Sequence, residues 1–149
     1  MYRGFEYVTK EHKKHAEQTF LPIRKTKSSA GYDLLSPITF TLKPKETKVV
    51  WMDVKVKMPG NEFLGIYIRS SLGIKHQISI MNGTGIIDSD YYSNPSNDGN
   101  IGVALKNNGK EEITINQGEG IAQGIFMQYL VADNCNAEAT RSGGIGSTN

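Results

Sequence analysis

Five short stretches hold most of the side chains in this sequence that could do chemistry. The richest runs Asn82-Gly83-Thr84-Gly85-Ile86-Ile87-Asp88-Ser89-Asp90-Tyr91. Carboxylates at i and i+2 of a strand share a face, and the two glycines before them allow a tight hairpin. Read for function, this is a general base beside an aromatic ring that packs on a substrate. Read for structure alone, it is a β-turn with solvated acids, and the residue types fit both. Arg69-Ser70-Ser71-Leu72-Gly73 offers a guanidinium fork, two hydroxyls and a glycine that lets backbone approach, which are the donors a phosphate chain requires. The tail Arg141-Ser142-Gly143-Gly144-Ile145-Gly146-Ser147-Thr148-Asn149 has an Arg, three glycines and three hydroxyls, a set suited to wrapping an anion with backbone N–H groups. Ala30-Gly31-Tyr32-Asp33-Leu34 contains an Asp that could cap a turn. Gln117-Gly118-Glu119-Gly120-Ile121-Ala122-Gln123 reads as a turn into a core strand, with Gln123 a satisfied polar residue.

Other chemistries find little support. His12, His15 and His76 form no cluster with a third ligand and read as surface or packing residues. Cys135 is the sole cysteine, which excludes an internal disulfide framework and a Cys-rich zinc site, and no His or Asp motif marks it as a nucleophile. There is no serine elbow, Walker loop or dinucleotide fingerprint.

The elements that must position these residues follow period two. Val50, Met52, Val54, Val56 and Met58 alternate with Val49, Trp51, Asp53, Lys55 and Lys57, which predicts one half-buried strand over 49–58. Leu64, Ile66 and Ile68 stand opposite Phe63, Tyr67 and Arg69 in the same way. Shorter strands are expected at 37–42, 101–105, 113–115 and 120–131, separated by Lys43-Pro44, Pro59-Gly60-Asn61, Asn107-Asn108-Gly109 and Gln117-Gly118. Many short strands with regular turns predict an all-β sandwich or barrel. The one helix candidate, Glu11–Gln18, has helix formers but little apolar stripe. Residues 72–77 could add a short turn, 93–100 reads as a polar loop, and the tail from Asn134 is expected to be mobile.

Composition is consistent with this. The 149 residues suit one domain, 1–149, with a core that needs no staples. No apolar run approaches membrane-spanning length, and the first residues lack the apolar region of a signal peptide, so no membrane association and a cytoplasmic location are expected. The net charge of +2 conceals a basic front and an acidic remainder. A basic front can indicate nucleic acid, but Lys43, Lys45, Lys48, Lys55 and Lys57 lie in or beside strand-like segments, as on the wet face or rim of a sheet, and no direct nucleic-acid binding is expected. Glycine, 16 of 149 residues, is in excess of the usual share of about 7%.

In order and spacing, the five stretches together resemble the five motifs of the trimeric deoxyuridine triphosphatase (dUTPase) family, from about Ala30 to Asn149. The most specific match is Gly85-Ile86-Ile87-Asp88-Ser89-Asp90-Tyr91. The resemblance implies a β-clip, a distorted jelly-roll barrel subunit with little helix, and a homotrimer whose active sites are shared between subunits. One subunit would supply the first, second and fourth motifs, a second the third, and the last subunit's tail (about 134–149) would close as a lid. The implied reaction is dUTP plus water giving dUMP and pyrophosphate, which limits uracil in DNA and supplies dUMP for thymidylate synthesis. Asp88 matches the general base, acting on a water that attacks the α-phosphorus in line. Asn82 matches the uracil reader, Gly85 and Ile87 line the base and sugar pocket, and Tyr91 matches the ring under the deoxyribose. Arg69, Ser70, Ser71, Gln123, Arg141, Gly146 and Ser147 match phosphate-binding positions. Mg²⁺ is implied, bound mainly through the substrate triphosphate with no direct protein ligand, Asp33 reaching it through water.

Some positions depart from the family pattern. Ile145 stands where the lid usually carries Phe, and the spacing from Arg141 to it is one residue short. Gly120 stands where a basic residue is common, and Tyr92 with the 93–100 loop replaces a tighter turn. A dCTP deaminase-like enzyme of the same fold is an alternative, although that family reads Pro-Gly-Phe-like residues after its Asp, where this chain has Ser89-Asp90-Tyr91. A regulatory trimer that also holds a protein partner is another, with residues 1–29 and 93–100 as the places to look.

Overall fold

In the computed structural model, which describes residues 2–149, the strand alternation resolves into eleven strands in four sheets. The strands are β1 (Gly4–Tyr7), β2 (Tyr32–Leu35), β3 (Phe40–Leu42), β4 (Thr47–Trp51), β5 (Val54–Lys57), β6 (Glu62–Ile68), β7 (Ile78–Ile80), β8 (Gly85–Asp88), β9 (Gly102–Asn107), β10 (Ile113–Ile115) and β11 (Gly120–Gln128). One helix, α1 (Ser70–His76), lies between β6 and β7. The sheets run β2-β11-β6-β8, β4-β9-β7, β1-β5 and β10-β3. Every pairing is antiparallel. The protein is all-β with little helix, and none of the sheets among the described residues closes into a barrel. One buried cluster draws from all four, including Leu34, Leu42, Val50, Val56, Leu64 and Leu105.

The long strand expected over 49–58 is two strands. Its apolar face is as read, with Val50, Met52, Val54, Val56 and Met58 all buried. At Asp53 the backbone turns left-handed (φ 57°), so β4 pairs with β9 while β5 pairs with β1. The supposed wet face is partly interior: Asp53 is 1% and Lys55 8% exposed. Asp53 accepts the backbone N–H groups of Lys14 (2.8 Å) and His15 (3.0 Å) and the amide of Asn100 (2.9 Å). Lys55 Nζ lies 3.0 Å from Asp98 Oδ1. Both charges are inside because partners from distant segments satisfy them.

Three further expectations change. Glu11–Gln18 is not a helix; a 3₁₀ turn over Lys10–His12 is all that forms, as its missing apolar stripe leaves nothing to pack. Residues 82–84 do not close a hairpin, since β7 pairs with β9 and β8 pairs with β6, so that turn carries the chain between sheets. The 120–131 strand ends at Gln128. Residues 2–24, where the sequence suggested no strand, add β1 to β5 and bridge Ile23 to Asp33.

Candidate active site

The chemically suggestive residues gather in two places. The first is cationic. β2 and β11 set Asp33 opposite Gln123, β6 delivers Arg69 at its end, and Ser70 opens α1. Lys25, Ser29, Gly31, Arg69, Ser70 and Gln123 line a cavity of about 350 Å³. Arg69 is held from two sides: its Nε is 3.4 Å from Asp33 Oδ1, and its Nη1 donates to the Gly120 carbonyl at 3.2 Å. The second oxygen of Asp33 is buried without a partner. Gly120 explains one departure noted above, because a Cβ there would lie 2.6 Å from Arg69 Nη1. A larger residue at 120 and this Arg69 pose exclude each other. Ser71 is exposed and outside the cavity lining. Lys25 and Ser29 were missed by sequence reasoning, although they stand five residues and one residue before Ala30.

The second place carries the carboxylates. Asp88 ends β8, and Asp90 sits in a 3₁₀ turn, Ser89–Tyr91. The two acids share a side through that turn rather than through strand alternation. Asn82, Ile87, Asp88, Tyr91, Ile145 and Gly146 contribute to a cavity of about 270 Å³. It adjoins an apolar cavity of about 340 Å³ that includes Ile66, Ile80, Gly85, Ile87 and Val103. Tyr91 is buried; its hydroxyl donates to the Asn100 carbonyl (2.7 Å) and accepts from Asn97 Nδ2 (2.8 Å). Burial pushes this phenol above its ordinary pKa, against the Asn97 hydrogen bond and the Arg141 charge.

The tail packs against the carboxylates at the end of β8 and in the turn that follows it. Arg141 donates from Nε to Asp90 Oδ1 and from Nη2 to Asp88 Oδ2, each at 2.8 Å, with its guanidinium carbon 5.7 Å from the centre of the Tyr91 ring. Asp90 first, and then Asp88, hold the guanidinium pKa above its usual value against the effect of burial. Arg141 is therefore on the carboxylates and not in the Arg69 cavity: charge-assisted bonds to two carboxylates are the strongest within reach of this tail. Ser147 Oγ bonds the Gly143 carbonyl at 3.0 Å and receives Arg141 Nη1 at 3.3 Å, so it braces the tail turn. Ile145 borders both cavities of this half yet stays 78% exposed.

Within one chain the two places stay apart. Asp88 pairs with Phe63 at the start of β6, whereas Arg69 follows its end. Six residues of strand separate them, about 20 Å at the usual rise. No group of three or more His, Cys, Asp or Glu side chains suited to a metal occurs among the described residues.

The all-β chain thus presents a cationic pocket on one side and, well apart from it, a carboxylate beside an apolar pocket, an arrangement of the nucleotide-binding class. Comparison makes this specific. The dUTPase family model matches residues 17–149, and the chain belongs to that family. It is 41% identical over 148 residues to the deoxyuridine 5'-triphosphate nucleotidohydrolase of Lactococcus lactis subsp. lactis (strain IL1403), covering 98% of this chain and 97% of that one. The crystal structure of the dUTPase from Streptococcus mutans superposes with a TM-score of 0.77 at 34% identity, over 88% of this chain and 99% of that one. A mutant dUTPase from phage phi11 of S. aureus, described for its coordination of a structural Mg(II) ion, shares the fold with a TM-score of 0.72 at 23% identity, over 92% of this chain and 97% of that one.

Proposed function

We propose that this chain is a dUTP nucleotidohydrolase, converting dUTP and water to dUMP and pyrophosphate in a homotrimer. Each centre would form where the carboxylate half of one copy meets the cationic half of another. The observation that carries this is the separation of the two halves along β6: each has the chemistry for one end of a nucleoside triphosphate, and neither reaches the other within a chain.

Each half has a definite task. Asp88, on the rim and half-exposed, takes a proton from a water that attacks the α-phosphorus in line, and pyrophosphate leaves. Arg141 must release Asp88 for this to happen, and a triphosphate in the adjoining cationic half offers it more anionic oxygens than the two carboxylates do. Arg69, Ser70 and Gln123 receive the phosphates, with Lys25 and Ser29 as further donors. Asn82, on an exposed turn at the mouth of both cavities, pairs with the uracil edge, and a base that mismatches leaves its amide unpaired. Tyr91, fixed by Asn97 and Asn100, presses its ring on the sugar and excludes a 2′-hydroxyl. Ile145 caps the base, without the stacking an aromatic ring would add, a difference of about 1 kcal/mol.

A hydrated Mg²⁺ would suit this pocket: Asp33 is among the residues lining the polar cavity, and its carboxylate, with one oxygen left without a hydrogen-bond partner, could turn to hold one of the ion's waters. Bound mostly by triphosphate oxygens and waters, the ion would offset the charge of the phosphates.

Purified protein with Mg²⁺ should release pyrophosphate from dUTP far faster than from dCTP, dTTP or UTP. In ¹⁸O-water the label should enter dUMP and not pyrophosphate. Equal rates on the four nucleotides would contradict the proposed specificity, and ammonia release from dCTP would favour the deaminase reading.

A further inference from the structure

The 93–100 loop gives Asp98 to Lys55, Asn100 to Asp53 and Asn97 to Tyr91, but its contact with the tail has no task in the fold or in the proposed chemistry. It is polar and partly interior. Asn94 and Asn100 are 4% and 0% exposed, and its hydrogen bonds converge on one side chain. Asn97 Oδ1 accepts from Asn94 Nδ2 (2.7 Å) and from the Gly99 N–H (3.0 Å). Asn94 Oδ1 in turn accepts the N–H groups of Ser96 and Asn97 (3.1 and 3.2 Å), and Asn94 Nδ2 also donates to the Tyr91 carbonyl at 2.8 Å. The loop thus aims the amide nitrogen of Asn97, and that nitrogen meets two partners. It donates to the Tyr91 hydroxyl at 2.8 Å. It also lies against the tail, where a Cβ on Gly144 would fall 2.8 Å from it. Ser96 Oγ stands 3.5 Å from the same Cβ position and 3.6 Å from that of Gly143.

We propose that Asn97 is a positioning residue that joins the sugar-reading ring to the lid: the side chain that fixes Tyr91 also forms the seat on which Gly143-Gly144 lands, so ring placement and tail closure are coupled. The seat requires glycine because backbone must come within contact distance of an amide that is already committed. It also gives the chain a way to seat its lid where Ile145 supplies no aromatic grip. The inference rests on the dUTP reading for its kinetic arm and is independent of that reading for its structural arm.

The structural arm is limited trypsin digestion of the full-length, ligand-free protein, following cleavage after Arg141. With the tail seated, Arg141 is engaged and cleavage is slow. Asn97→Ala should speed cleavage severalfold, because the tail loses the side chain against which Gly144 packs. Gly144→Ala should do the same, by pushing the tail off the amide. In the double variant the added methyl occupies the space the amide vacates, so the two effects should not multiply. The kinetic arm is the ratio of kcat/KM for dUTP to that for UTP. Asn97→Ala should lower it roughly fivefold, since a loosened ring tolerates ribose, while Gly144→Ala should act mainly through KM for dUTP. Independent, multiplying effects of the two substitutions on cleavage, or an unchanged dUTP/UTP ratio in a folded Asn97→Ala protein, would overturn the proposal. Should Asn97→Ala fail to fold, Gly144→Ala decides: it lies in the tail, and unaltered trypsin sensitivity would be equally fatal. If wild-type protein leaves dUTP intact, the function reading fails, and the digestion result still stands or falls alone.

Discussion

Lys55 and Asp98 show how single residues set the stability of this protein. Both are nearly buried, 3.0 Å apart, and the Asp98 carboxylate also accepts the Thr9 N–H at 2.8 Å. Burial works against the charged carboxylate, but the Thr9 N–H and Lys55 outweigh it and hold its pKa below the usual value. A depressed carboxyl pKa stabilises the fold fully above its unfolded value, near 3.8, and that contribution is lost as pH falls through the lower folded value. Lys55→Met would strand a buried charge, and urea denaturation at neutral pH should show a loss of about 3 kcal/mol. As pH falls below 4, the gap between wild type and variant should narrow. Gly120→Ala tests the cationic pocket at the same scale. The new Cβ must displace Arg69, so KM for dUTP should rise severalfold while thermal stability stays close to wild type. Asp88, Tyr91 and Arg69 could be picked out in the sequence because chemistry-bearing types crowd at short spacing there. The interior position of Lys55 could not: on a strand, a paired lysine and a solvated one follow the same alternation, and its partner lies 43 residues away.

Between residue and fold, Asp53 is the joint that holds the amino-terminal segment in place. It breaks the predicted strand in two, and its carboxylate takes the backbone of Lys14 and His15 together with Asn100. The same segment continues to Ile23, which bridges Asp33, and to Lys25 and Ser29 in the cationic cavity. Asp53→Ala should therefore loosen residues 13–24, with faster amide exchange at Lys14 and His15 and a Tm lower by several degrees, the shift expected for a buried, charged hydrogen-bond acceptor. Unchanged exchange there would show that the segment is held by other contacts. Strand positions such as β6, β9 and β10 were visible in the sequence because local alternation decides them. The break at Asp53 and the sheet change at 82–84 were not, since each depends on which strand lies alongside. Glu11–Gln18 failed as a helix for a related reason: propensity without an apolar face gives nothing to bury.

Across the whole molecule, the glycine excess and the modest charge fit one picture. Nine of the sixteen glycines fall in the five stretches, at Gly31, Gly73, Gly83, Gly85, Gly118, Gly120, Gly143, Gly144 and Gly146. At 120 and 144 their role is clearance for Arg69 and Asn97. A triphosphate would be met by a few placed donors rather than by a basic surface. β6 keeps those donors and Asp88 about 20 Å apart, so the proposed centre needs two copies of the chain. Subunit mixing tests this directly. Asp88→Asn and Arg69→Ala, each inert alone, should be denatured together, refolded and assayed for pyrophosphate release from dUTP. Sites that take Asp88 from one variant and Arg69 from the other should restore roughly a quarter of wild-type activity after random assembly. A mixture that forms the same oligomer as wild type and stays inert would contradict the shared dUTP-hydrolysing centre.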